Sequence, residues 1–252
     1  MAGPQRLRGA LALGTAMAGL LAAAGCASSQ GSEHPAPGLS AAIAPPDSHS
    51  ARVGVLLFDQ GASRSCTASV VDSPGRDLLV TAAHCVTATD GSPVTGLSFA
   101  PGYRDGAAPL GSWTVDRVVV DHRWSANADP EYDVAFLTVD PAGGRQIEDV
   151  VGGNPLGVNR GFGLAVTVTG YPNDHEEPIT CTTRTTARSA TQERFDCGGF
   201  SDGTSGSPWL TEDDTVVGVI GGYQQGGDTP DVSYSVTFDN RVAALYQQAT
   251  GQ

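Results

Sequence analysis

At 252 residues, 40% of them hydrophobic, the chain is long enough for one large or two small domains around a substantial core, which excludes a disordered protein. All 14 of its basic residues are arginine, and 27 carboxylates bring the formal charge to −13. That balance disfavours nucleic acid or an anionic lipid surface as an electrostatic partner.

Residues 1–25 have a basic start (Arg6, Arg8), an apolar run from Ala10 to Ala24 and small residues at its end, the make-up of an export signal. The run is too short for a comfortable membrane span. The string Leu20-Leu21-Ala22-Ala23-Ala24-Gly25-Cys26 looks like a bacterial lipobox, although Ala23 stands where leucine is preferred. It implies cleavage before Cys26 and acylation of that thiol. The other reading is an ordinary signal peptide cut nearby, with Cys26 discarded or left free. Localisation outside the cytoplasm is expected either way, lipid-anchored or secreted, and membrane contact is expected only through a lipid at Cys26. Residues 26–50 are rich in Ser, Gly, Ala and Pro with hardly any large apolar side chain, and read as a flexible tether.

From residue 51 the pattern changes to short β-branched, apolar runs separated by Gly, Pro, Asp and Asn. Val53 to Phe58, Thr67 to Val71, Leu78 to Thr81, Trp113 to Val120, Val134 to Val139, Ala165 to Gly170 and Val216 to Ile220 read as strands. Without long helical periodicity between them, they favour an antiparallel all-β barrel or sandwich. One helix is expected at the end, with Asp239 capping Asn240 to Ala249 and Gly251 stopping it. Besides Cys26 the body holds four cysteines, an even number suited to an oxidising compartment. A zinc site would be a competing use for them, but no short Cys-x-x-Cys or His-x-x-x-His spacing supports it.

Three strings carry the chemistry, in the order His, Asp, Ser. Thr81-Ala82-Ala83-His84-Cys85 follows a predicted strand, Tyr132-Asp133-Val134-Ala135-Phe136-Leu137 opens another, and Ser201-Asp202-Gly203-Thr204-Ser205-Gly206-Ser207-Pro208 flanks one serine with small residues. Together they offer a base, a carboxylate to orient it and a nucleophile for acyl transfer. His34 and His49 fall in the tether, and His122 and His175 lack a comparable setting. Asp129 and Asp121 are the fallback candidates for the acid; for Asp133 itself the alternative is a turn aspartate capping the strand entrance, and for Ser205 a Gly/Ser-rich surface loop.

The strings and their order resemble those of the trypsin/chymotrypsin-like serine proteases over roughly residues 51 to 250, in which TAAHC carries the base, a DIAL-like segment the buried acid and GDSGGP the nucleophile. The α/β-hydrolase and subtilisin orders differ. The string GTSGSP is closer to the bacterial glutamyl-endopeptidase-like branch. The resemblance implies two antiparallel six-stranded β-barrels, about 51–150 and 151–252, with a C-terminal helix and the catalytic groups in the cleft between them. It implies His84 as general base, Asp133 as orienting acid, Ser205 as nucleophile, and the backbone N–H groups of Gly203 and Ser205 as an oxyanion hole. It also implies a disulfide between Cys66 and Cys85 beside the base, which leaves Cys181 and Cys197 to pair by elimination. Neither metal nor organic cofactor is expected, and the partner is a protein or peptide substrate met by a monomer.

The departures from the family matter as well. Thr204 stands where trypsin-type enzymes have the aspartate that pairs with a freed amino terminus, and no IVGG-like string precedes Val53, so a pocket that forms without such cleavage is expected. For substrate binding the resemblance points to Gly199 at the pocket floor, to the strand segment Gly221, Gly222 and Tyr223, and to Asp231 on the far wall. Gly199 does not support an Arg/Lys preference, and Ile220 stands where glutamyl-specific relatives carry histidine. A catalytically inactive protease-fold binding protein and an esterase or acyltransferase with the same triad are the rival readings.

Overall fold

The computed structural model describes residues 38–58, 61 and 63–251. The expected export signal, Cys26 and the first part of the expected tether lie outside these residues. The rest of that tether is ordered, which corrects the expectation for residues 38–50. Strand β1 (Ala42–Ile43) pairs antiparallel with Thr180 and Ile179, and helix α1 (Ser48–Ala51) is capped by the Asp47 side chain, which accepts from the His49 and Ser50 N–H groups. Ahead of β1, the Ala41 and Gly198 N–H groups donate to the carbonyls of Gly198 and Leu39. At and ahead of β1 the docking is made by main-chain groups, which leave no mark in a side-chain composition, and further along Arg104 donates to the Ala44 carbonyl and His49 meets Asp214.

Strands β2 (Val53–Phe58), β3 (Ser63–Val71), β4 (Leu78–Thr81), β5 (Ser98–Pro101), β6 (Trp113–Val120) and β7 (Ala135–Val139) close into a barrel in the order β2-β3-β4-β7-β6-β5, every neighbour antiparallel. Helix α2 (His122–Asn127) connects β6 to the turn before β7. In β4 and β7 both faces are apolar because both are buried. Leu79 and Leu137 point into the barrel core with Trp113 and Phe99, whereas Leu78, Val80 and Phe136 point outward against the second half of the chain. β5 was not expected; it is four residues long and ends in proline.

After helix α3 (Glu148–Val151) come β8 (Ala165–Gly170), β9 (Ile179–Arg184), β10 (Thr186–Ala187), β11 (Gln192–Asp196), β12 (Pro208–Leu210), β13 (Val216–Val219) and β14 (Val232–Val236), and then helix α4 (Asn240–Thr250). They form one sheet in the order β1-β9-β8-β12-β13 and another in the order β10-β11-β14. The gaps between the two are bridged otherwise. The Cys181–Cys197 disulfide ties β9 to the residue after β11, and the Ser235 hydroxyl on β14 accepts the Val219 N–H of β13. Trp209, Phe195 and Val168 fill the space between them. Helix α4 begins where expected and ends one residue later, at Thr250, capped by Asp239 and stopped by left-handed Gly251. Its buried Val242, Leu245 and Ala249 lie against Phe136 and Phe238, sealing the contact between the two halves. No helix among the described residues is long and apolar enough to cross a membrane.

Both expected disulfides are present. Replacing Cys66 and Cys85 together by alanine releases a loop closed over a sequence separation of 19, and denaturant unfolding should register a loss of about 3 kcal/mol. A second stability prediction concerns Glu193 on β11, a buried acid with one carboxylate oxygen, Oε2, that has no hydrogen-bond partner among the described residues. Burial pushes its carboxyl up from 4.5 to about 7, only partly opposed by a bond with the Thr185 side chain. The folded state therefore holds this proton where the unfolded chain has lost it, so the cost of ionising Glu193 is absent below pH 4.5, grows up to about pH 7 and is constant above. The Glu193→Gln protein should melt above the wild type at pH 8, with the difference shrinking towards zero at pH 4; a difference independent of pH would contradict the buried-acid account.

Candidate active site

His84 lies in the single helical turn Ala83–Cys85 that follows β4, held from behind by the Cys66–Cys85 disulfide. Asp133 follows the turn Pro130–Tyr132, which Asp129 caps by accepting the Glu131 N–H. The two meet closely. His84 Nδ1 is 2.8 Å from Asp133 Oδ2, and the His84 backbone N–H donates to Asp133 Oδ1 at 2.9 Å. A third bond comes from the other half of the chain, where the Gly222 N–H donates to Asp133 Oδ2 at 2.8 Å. The carboxylate is wholly inaccessible to solvent, and these N–H donors supply what water would otherwise provide. An Nδ1–H bound to Asp133 leaves Nε2 as the basic nitrogen. Asp129 and Asp121, the fallback acids, are instead cap residues, Asp121 accepting the Arg123 N–H at the start of α2.

Ser205 sits on a loop clamped to both barrels. Its carbonyl accepts the Thr67 N–H of β3, and the next residue, Gly206, donates to the Ile220 carbonyl. Two glycines make this possible. Gly206 has φ +83°, and a Cβ there would come within 2.1 Å of Thr81 Oγ1 and 2.2 Å of the Thr67 carbonyl; Gly203 has φ +99°, and a Cβ there would come within 2.5 Å of Asn173 Oδ1 and the Tyr171 carbonyl. The Thr67 hydroxyl binds the Gly203 carbonyl and accepts the Tyr171 N–H, pulling the loop tight. The Gly203 and Ser205 N–H groups make no bond to a protein acceptor among the described residues, which leaves two adjacent donors for an anionic oxygen. Thr204, the departure from the trypsin pattern, is buried and turns its hydroxyl onto the Ser201 carbonyl at 2.7 Å, completing the loop with a local bond.

His84 and Ser205 face one cleft of about 1010 Å³ between the two halves. Its lining differs from the expectation for substrate binding. Gly199, Gly221, Gly222, Tyr223 and Asp231 do not line it; Phe200, Ile220 and the loop from Gln224 to Pro230 do. Gly199 is exposed, its α-carbon turned towards Ala41 of the docked N-terminal segment and Ile179. Gly221 packs against Asp133, and the Tyr223 ring stacks edge-on with Tyr234 beneath Arg188. Asp231 is exposed, beside Gly198. An ungapped count from Ser205 cannot foresee the left-handed pair Gln224 and Gln225, φ 52° each, that reshapes this wall. The Gly222 and Thr67 contacts also escaped sequence reasoning, because a main-chain donor has no signature of its own. Cys66, His84 and Cys85 converge as a metal site's ligands would, but both sulfurs are bound to each other. The disulfides take up all four body cysteines, which removes the zinc alternative.

Among curated proteins no sequence match is found. Solved structures do match. The protease Anisep from Arthrobacter nicotinovorans superposes with a TM-score of 0.72 at 25% identity, covering 82% of this chain and 98% of that one. The thermostable serine protease AL20, from an extremophilic microorganism, gives 0.72 at 24% identity over 82% and 100% of the two chains, and a Glu endopeptidase gives 0.71 at 19% over 85% and 98%. The sequence profile of the trypsin-like peptidase domain matches residues 66–219. That match spans more than half of the chain, includes all three strings, and ends within β13 of the second barrel, so the chain belongs to the trypsin-like peptidase family.

Proposed function

We propose that the protein is an exported serine endopeptidase working through an acyl-enzyme on Ser205, with His84 as general base and Asp133 as the acid that orients it. The observation that carries this reading is the buried Asp133 carboxylate bonded to both the ring and the backbone of His84, across a cleft from a serine with two open amides beside it. In the first step Ser205 Oγ bonds to the scissile carbonyl carbon while its proton passes to His84 Nε2, and the carbonyl oxygen, now an anion, is held by the Gly203 and Ser205 N–H groups. The C–N bond then breaks as the same proton passes from Nε2 to the leaving amine. Water, deprotonated by His84, attacks the acyl carbon and releases the acid and Ser205.

The open amides count against an inactive binding protein with a collapsed oxyanion loop. Among the described residues the cleft is lined by Asp174, Asp202 and Asp228 and by no arginine, so an acidic substrate side chain meets repulsion there. A glutamyl preference is accordingly no part of this proposal, despite the likeness to a Glu endopeptidase. Two disulfides suit an oxidising compartment; export through residues 1–25 and acylation of Cys26 complete the proposal.

Intact-mass analysis after treatment with a fluorophosphonate should give a single adduct, mapped to Ser205 and missing in Ser205→Ala. Asp133→Asn should keep the fold and slow both labelling and peptide hydrolysis by about 10⁴-fold, because the amide misorients the imidazole and favours the wrong tautomer. A wild-type protein with both disulfides intact that takes no adduct would refute the assignment.

A further inference from the structure

We propose that Gln192 is a positioning residue for the reaction described above, a claim that rests on the serine endopeptidase reading. Gln192 opens β11, is buried at 3% exposure, and lies outside the His, Asp and Ser strings. Its carboxamide makes three bonds. Nε2 donates to the Pro130 carbonyl at 3.1 Å and to Glu131 Oε1 at 3.2 Å, while Oε1 accepts the Tyr223 N–H at 3.1 Å. Both partners adjoin the acid. Pro130 and Glu131 form the turn that ends at Asp133, and Tyr223 follows Gly222, whose N–H binds Asp133 Oδ2.

The contacts therefore close a ring. It runs from the Asp133 carboxylate to the Gly222 amide, along one peptide unit to Tyr223, through the Gln192 side chain to Pro130, and back along the turn to Asp133. Only a carboxamide offers an acceptor and two donors in one plane, and both ends of this one are used. Glycine at 222 is part of the same fit: with φ +79°, a Cβ there would stand 2.4 Å from Gln192 Oε1. The ring spans the two barrels, and the wall it steadies continues into Gln224 and Gln225 of the cleft. Loosening it lets Asp133 and the Gly222 donor drift apart, and a shift of about 1 Å in such a group costs about 10²-fold in rate.

The test uses Gln192→Met, which keeps the bulk and removes all three bonds, and Gln192→Glu, which keeps the acceptor but sets a second carboxylate against Glu131. The full-length protein is compared by fluorophosphonate labelling rate, peptide kcat and KM, and melting temperature. Both variants should label and turn over about 10- to 100-fold more slowly, with KM changed far less than kcat. Adding Glu131→Gln to Gln192→Glu puts the donor on the other side of the same contact, and should recover at least about tenfold of the loss. Labelling at the wild-type rate in both single variants would overturn the proposal. So would a loss that tracks melting temperature and is not recovered in the double variant, since that marks a purely structural role. Wild-type protein without an adduct at Ser205 would instead remove the endopeptidase reading, and this proposal with it.

Discussion

The structure turns on one buried carboxylate. Asp133 has no contact with water, and an ionised acid in that position is tolerable only if its oxygens are fully engaged. Two of its three bonds come from His84, in its own barrel, and the third from Gly222, in the other. The same requirement that makes the site chemically useful thus forces the two barrels into register, because separating them would strand the charge.

Much of the remaining architecture serves that register. Ser205 is held between β3 of the first barrel and Ile220 of the second, so the proposed nucleophile cannot move with one barrel alone. Helix α4 crosses the outer side of the contact, its Val242 and Leu245 against Phe136 and Phe238, with Tyr246 edge-on to Phe136 at 5.7 Å. Apolar burial there is non-directional and stabilises the contact as a whole, whereas the bonds at Asp133 and Ser205 set its alignment. The N-terminal residues 38–51 act at the periphery, extending the second barrel's sheet by β1.

Legibility in the sequence followed the kind of interaction. Strands whose side chains alternate between two apolar environments, such as β4 and β7, stand out as β-branched runs, and β2, β4, β6 and β8 begin and end where the pattern places them. Helix α4 was equally plain, because a cap at Asp239 and a stop at Gly251 are side-chain and glycine signals. Strands β1, β5, β10 and β12 were not, being two to four residues long, and neither were β9, β11 and β14, in which polar and charged residues interrupt the apolar run. Within the site the same division holds. His84, Asp133 and Ser205 were visible because their chemistry requires those side chains, whereas the Gly222 amide, the Gln192 carboxamide and the Thr67 clamp were not, because many residues could occupy such places.

The strand pattern and the three ordered strings therefore determined the all-β class and the residues proposed for catalysis, since each depends on what a side chain is, and the resemblance those strings carry implied the pairing of the four body cysteines. Tertiary structure alone decided the shape of the substrate cleft. Its wall depends on the left-handed turn at Gln224 and Gln225 and on the meeting of the Gln224–Pro230 loop with Phe58, His84 and Val94 of the first half across one cleft. Those are consequences of distant main-chain segments meeting, a property that no local string of residues encodes.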